Sequence, residues 1–176
     1  MSLQELALRG VRETLEGPFA WQPSQGMLII ADEESPLSRL LFEVYRTLVP
    51  EARTLVFVAG QEAAVLEEIN KCRPKELVVL IQSTNFRLNE FRLRIELFKR
   101  GLQTIEYVHL ARMAEDQYEI YLNALQYDSE FYRTIGPALK TRLDRATSIQ
   151  VECPGTVLNY ASPMEEAKLN IGDYRG

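Results

Sequence analysis

Polar side chains able to do chemistry collect at three places in this sequence. One is Ser83-Thr84-Asn85, directly behind the apolar run ELVVLIQ at 76–82. Another is Asp32-Glu33-Glu34-Ser35, directly behind MLIIA at 27–31. The third is His109, the single histidine, in QTIEYVHLA at 103–111. In open α/β sheets ligands gather beyond the carboxyl ends of the strands. Asp32, Ser83, Thr84 and Asn85 all follow candidate strands, so they make a candidate ligand rim. The same residue types also cap helices and fill turns through local side-chain to backbone bonds, and this local role competes with ligand contact.

The common chemistries find little here. Ser83 lacks the flanking glycines of GxSxG, which hold a nucleophilic serine on a sharp strand-to-helix turn. Neither GxGxxG nor GxxxxGK[ST] occurs, and the turn after MLIIA is acidic where a phosphate needs free amides. A zinc hydrolase needs several His, Asp, Glu or Cys ligands, as in HExxH, and His109 cannot supply them. An all-carboxylate metal site at Asp32, Glu33 and Glu34 stands beside a plainer reading, in which the dipole of a following helix favours these carboxylates at its N-terminus and explains them as well or better. No catalytic residue and no metal ligand follow. Cys72 and Cys153 lie far apart and outside CxxC spacing, and read as buried free thiols. Arg87, Arg92, Arg94, Lys99 and Arg100 alternate with Phe86, Phe91 and Phe98. With Phe91, Ile95 and Phe98 turned inward, this is a salt-bridged helix surface, supported by Glu90 with Arg94 and Glu96 with Arg100, rather than a base-stacking platform.

Bulk composition narrows the partners. A formal charge of −5 and 25 acidic against 20 basic residues disfavour nucleic acid. The longest apolar runs are about five residues, against roughly 20 for a membrane span. The first residues carry Glu5, Glu13 and Glu16 and lack the apolar centre of a secretory signal, so a cytoplasmic protein is expected. With 176 residues, 46% apolar, the chain can bury a core without staples.

The elements that must position the rim alternate. Leu3, Leu6, Ala7, Val11 and Leu15 define an amphipathic helix over 3–16 that ends at Gly17-Pro18. Strands are predicted at 27–32, 52–60, 76–82 and 103–111, with helices at 36–48, 61–73, 89–100 and 115–125 between and after them. Such βα alternation implies parallel strands and right-handed crossovers in a three-layer α/β sandwich with a mostly parallel sheet, spanning residues 1–126. A linker helix at 127–146, capped by Asp128 and kinked or restarted at Gly136-Pro137, follows. Residues 147–176 begin a small, incomplete β unit: a hairpin about Pro154-Gly155 and strand-like KLNI at 168–171. Two or three short strands are too few to stand alone.

The order of these pieces resembles the N-terminal domain of the aminopeptidase T, or leucyl aminopeptidase, family of thermophilic metallopeptidases. STNFRLNEFRLR keeps Ser83, Thr84, Glu90 and Arg92 at that family's spacing, with Leu88 and Asn89 where the family often has His and Thr. LDRA at 143–146, the following β run, and Pro154, Gly155, Thr156 and Leu158 match a second stretch. The resemblance covers about residues 77–160 and rests on order and spacing. It implies a metal-dependent exopeptidase whose zinc or cobalt ligands come from a further domain. It adds Arg92 to the cleft-wall candidates Asp32, Ser83, Thr84 and Asn85, and assigns this chain no cofactor and no catalytic residue. The expected function is a non-catalytic N-terminal domain, or truncated relative, that shapes a substrate cleft or mediates assembly as a homo-oligomer. The alternative is a stand-alone scaffold that binds a peptide or partner protein.

Overall fold

The computed structural model describes residues 1–84, 93–163, 165–172 and 174. The helix α1 (Leu3–Glu16) opens the chain with a reciprocal cap: Ser2 accepts from the Glu5 amide, and Glu5 reaches back to the Ser2 amide. Then come β1 (Met27–Ala31), α2 (Pro36–Leu48), β2 (Arg53–Val56), α3 (Glu62–Asn70), β3 (Leu77–Ile81), α4 (Leu93–Lys99), β4 (Gln103–Tyr107) and α5 (Tyr118–Asn123). The chain is α/β. Its four-stranded sheet is all parallel, in the order β2-β1-β3-β4. A separate two-stranded antiparallel sheet lies near the C-terminus.

Every residue of β1 and β3 is buried, as expected for parallel strands covered on both faces. Alternation sorts them into two cores. Met27, Ile29, Ala31, Leu77, Val79 and Ile81 face α1, α2 and α5, while Leu28, Ile30, Val78 and Leu80 face α3 and α4. At Gly10 a Cβ would stand 2.9 Å from that of Leu125, so the bare backbone lets α1 approach the end of the α5 segment closely.

Strand β3 follows β2 in sequence but pairs with β1. The connections from β1 and β3 therefore leave in opposite directions, which places the switch point of the sheet between the carboxyl ends of these two strands. Asp32 follows β1 directly, and Ser83 follows β3 after Gln82.

Two expectations about burial are corrected. On α4, Leu93 and Leu97 are buried, whereas Ile95 and Phe98 are 45% and 57% exposed. The inward stripe thus lies a fraction of a turn away from the one chosen from the phenylalanines. Phe91, Glu90 and the expected cap Asn89 lie outside the described residues. Nor are both thiols buried, since Cys72 is half-buried and Cys153 exposed.

The chain divides into two compact units, Met1–Tyr127 and Asp128–Gly176. The second holds α6 (Ser129–Asp144), β5 (Ile149–Cys153) and β6 (Thr156–Tyr160). Asp128 caps α6 by accepting from the Phe131 amide at 2.9 Å, and the helix runs on through Pro137. The Pro154-Gly155 turn has φ +82° at Gly155, the left-handed conformation glycine adopts freely. Residues 168–171 form no strand. The tail is tied to α6 instead: Lys140 Nζ donates to the Ala167 carbonyl at 2.7 Å, and the Ala167 amide donates to Asp144 Oδ1 at 2.8 Å. These bonds hold the chain at Ala167, directly before KLNI, and the side chains of Leu169 and Ile171 lie against α6 at Gly136.

Candidate functional site at the carboxyl rim of the sheet

The switch point brings Asp32 and Ser83 together and turns both inward. The Ser83 amide donates to Asp32 Oδ2 at 2.7 Å, and Asp32 Oδ1 accepts from the Glu34 amide at 3.3 Å. The Ser83 hydroxyl accepts from the Ser35 amide at 2.9 Å and lies 2.9 Å from both Ser35 Oγ and Ser38 Oγ. Ser35, the N-cap of α2, accepts from the Ser38 amide at 3.1 Å, and Ser38 Oγ donates to the Ser35 carbonyl. Asp32, Ser35, Ser38 and Ser83 are at most 4% exposed. Three serines and one carboxylate thus satisfy one another and stitch β3 to the start of α2. The Ser83 hydroxyl is thus engaged by the Ser35 amide and two serine hydroxyls, and the neighbouring Asp32 carboxylate by backbone amides.

Backbone bonds close the next gap as well. Leu110 and Ala111 donate to the carbonyls of Gln82 and Ser83 at 3.0 Å each. This folds the segment after β4 onto the end of β3. His109 is half-buried and caps that turn with φ +60°. On the rim itself Thr84, Glu33 and Glu34 face outward. Asn85 and Arg92 lie outside the described residues. Of the candidates read from the sequence, Asp32 and Ser83 are brought into contact and Thr84 is left at the surface.

A second polar cluster, which sequence reasoning passed over, sits at the opposite, amino end of the sheet. Arg53 at the start of β2 reaches Glu68 Oε2 at 3.1 Å, Glu76 Oε1 at 3.4 Å and Cys72 Sγ at 3.1 Å. Glu76, 8% exposed, also accepts from the Arg73 amide. Burial pushes the Cys72 thiol above its usual value, against the pull of Arg53, so the sulfur stays protonated and weakly nucleophilic. The cluster ties α3 to β2 and β3. Its only sequence signal is a set of charges at strand and helix ends far apart in the chain. A recess near the C-terminal end of α2, lined by Glu43, Arg46, Thr47, Pro50 and Thr54, is also at this amino end, away from the rim.

Among the described residues no group of three or more His, Cys, Asp or Glu side chains is placed to hold a metal ion. Among them, too, no helix is long and apolar enough to cross a membrane. The larger departure from an ordinary surface is in the second unit. On α6, Phe131, Ile135 and Leu139 repeat at i, i+4 and i+8, and each is about half exposed. In the hairpin, Ile149 pairs with Tyr160, Val151 with Leu158 and Cys153 with Thr156, so these six share one face. Val151, Leu158 and Tyr160 on it are 51%, 61% and 50% exposed. The other face carries Gln150, Glu152, Val157 and Asn159. No family model, no curated protein and no solved structure matches the chain.

Proposed function

We propose that this protein is a non-catalytic docking module, whose α/β unit is a rigid platform and whose second unit engages a protein partner. The observation that carries this reading is the uncovered apolar surface of the second unit, the stripe on α6 and the single apolar face of the hairpin. Clustered exposed apolar side chains, as distinct from scattered single ones, mark interaction surfaces. The rim supports the same reading from the other side, because Asp32 and Ser83 spend their hydrogen-bonding capacity on each other and on α2.

Replacing Ile135 and Leu158 by Lys together is the direct test. Both side chains are exposed, so circular dichroism and the denaturation midpoint are expected to stay close to the parent. Capture of the partner by tagged protein in its own cells, quantified against the parent, is expected to fall by the equivalent of about 2 kcal/mol or more if these are central contacts. Equal capture would overturn the docking reading.

The resemblance to the aminopeptidase T family gives a more specific form of this proposal. Ser83, Thr84, Glu90 and Arg92 support it by their spacing. In that form the module walls the substrate cleft of a metal-dependent exopeptidase in the cytoplasm, and zinc or cobalt is held by the catalytic domain. The chain alone, supplied with either metal, is then expected to release no nitroaniline from aminoacyl-nitroanilides. Metal-dependent release by the purified chain would overturn the non-catalytic assignment.

A further inference from the structure

We propose that the occupant of the second unit is a second copy of this chain, joined by antiparallel pairing of β6 with β6 about a twofold axis at Leu158. The inference rests on the docking reading and names its partner. Three observations lead to it.

The first concerns the sheet edges. Native proteins blunt free edges with charge, proline or bulges. Among the described strands, β2 carries Arg53, β4 carries Glu106 and β5 carries Glu152, whereas β6, Thr-Val-Leu-Asn-Tyr, carries no charged residue and is exposed along its whole length. It is the edge with nothing to repel another strand. Antiparallel self-pairing centred on Leu158 sets Leu158 opposite its own copy, Val157 opposite Asn159 and Thr156 opposite Tyr160. Two two-stranded hairpins become one four-stranded sheet whose apolar face is continuous across the axis, and which the α6 stripes can cover. That converts a hairpin too small for independent stability into a layered unit.

The second is charge. Residues 128–176 hold seven carboxylates (Asp128, Glu130, Asp144, Glu152, Glu165, Glu166, Asp173) and six cations (Arg133, Lys140, Arg142, Arg145, Lys168, Arg175), a net of −1 out of the chain's −5. Four of the five excess negative charges therefore lie in the first unit, and two second units meet without strong repulsion.

The third is area. Six half-exposed side chains, Phe131, Ile135, Leu139, Val151, Leu158 and Tyr160, offer on the order of 500 Å² per copy, taking roughly half of the 150–250 Å² of an aromatic and somewhat less for an aliphatic residue. Two copies hide about 1,000 Å² from these side chains alone, the size at which a specific interface becomes credible.

Sedimentation velocity of the purified full chain from about 1 to 100 μM, a range bracketing micromolar self-association, is expected to show a species of twice the 20.2 kDa chain mass. Leu158→Lys sets two ammonium groups face to face and is expected to weaken the dimer about tenfold or more. Because a lysine on a strand could act indirectly, a second variant tests the register. Leu158→Cys, in a background with Cys72→Ser and Cys153→Ser, is expected to form a covalent dimer on mild oxidation, since directly opposed antiparallel residues lie within disulfide reach. A monomer throughout the range overturns the second copy as occupant, while the cellular capture experiment still decides the docking reading. A dimer that is indifferent to Leu158→Lys and does not cross-link through position 158 overturns the β6 pairing.

Discussion

At the scale of single residues, Ser83 shows how a polar break can resemble a site and serve as a structural tie. Its hydroxyl is the acceptor for the buried Ser35 amide and the neighbour of two other serine hydroxyls. In Ser83→Ala the Ser35 amide keeps only the longer 3.2 Å bond to Ser38. We expect a loss of about 1–2 kcal/mol in urea unfolding, the cost of weakening a buried network, with partner capture unchanged. The tyrosine pair gives a pH prediction. Tyr45 and Tyr107 are buried with their hydroxyls 2.9 Å apart. Burial raises the Tyr45 phenol well above its ordinary value and pushes that of Tyr107 up to about 12. Between pH 10 and 12 the unfolded chain has lost these protons and the folded chain retains them, so the folded state binds more protons and stability falls as pH rises. The contribution of this pair is level below about pH 10. Urea midpoints at pH 10 and 11.5 should show a decline that is shallower in Tyr45→Phe/Tyr107→Phe. The break after β3 is visible as Ser-Thr-Asn in the sequence, but the identity of its partners, 45 to 51 residues away, is not, because no local pattern encodes which strand lies beside β3.

The instructive element is α4. Phe91, Ile95 and Phe98 and the pair Leu93 and Leu97 both have helical spacing, so periodicity alone admits two inward faces. The structure buries the leucines, since the register in which α4 meets the sheet, packing Leu93 and Leu97 against Val78 and Leu80, selects the face. Leu97→Ala is expected to cost about 2–5 kcal/mol by leaving a cavity, and Phe98→Ala to stay within about 0.5 kcal/mol as a surface change. Guanidinium unfolding of the two variants checks this directly. Reversed magnitudes would restore the phenylalanine face. Helices α1 and α2 posed no such ambiguity. Each has one strongly apolar stripe, and Ser2 with Glu5 and Ser35 with Pro36 mark their starts. Helix α6 is the converse case: its stripe is plain in the sequence, yet Phe131, Ile135 and Leu139 on it stay about half exposed.

For the whole molecule, the two units differ in where their apolar surface goes. The first encloses both faces of its sheet, whereas the second exposes a stripe and a hairpin face. Local stability should follow that difference. Amide exchange of the chain at low concentration is expected to be slowest in β1 and β3 and orders of magnitude faster in β5 and β6, with the hairpin gaining protection as concentration rises. Uniform protection of both units at low concentration would contradict it. By itself, the sequence determined the alternation of strands and helices, the parallel central sheet implied by apolar runs without polar alternation, the helix caps and the Pro-Gly hairpin, all of which depend on neighbours within a few residues. Only the tertiary structure decided the strand order, the inward turn of Asp32 and Ser83, the buried face of α4 and the exposure of the second unit. Periodicity records that a face is apolar; what that face meets depends on chain segments tens of residues away, brought together only when the sheet closes around its switch point.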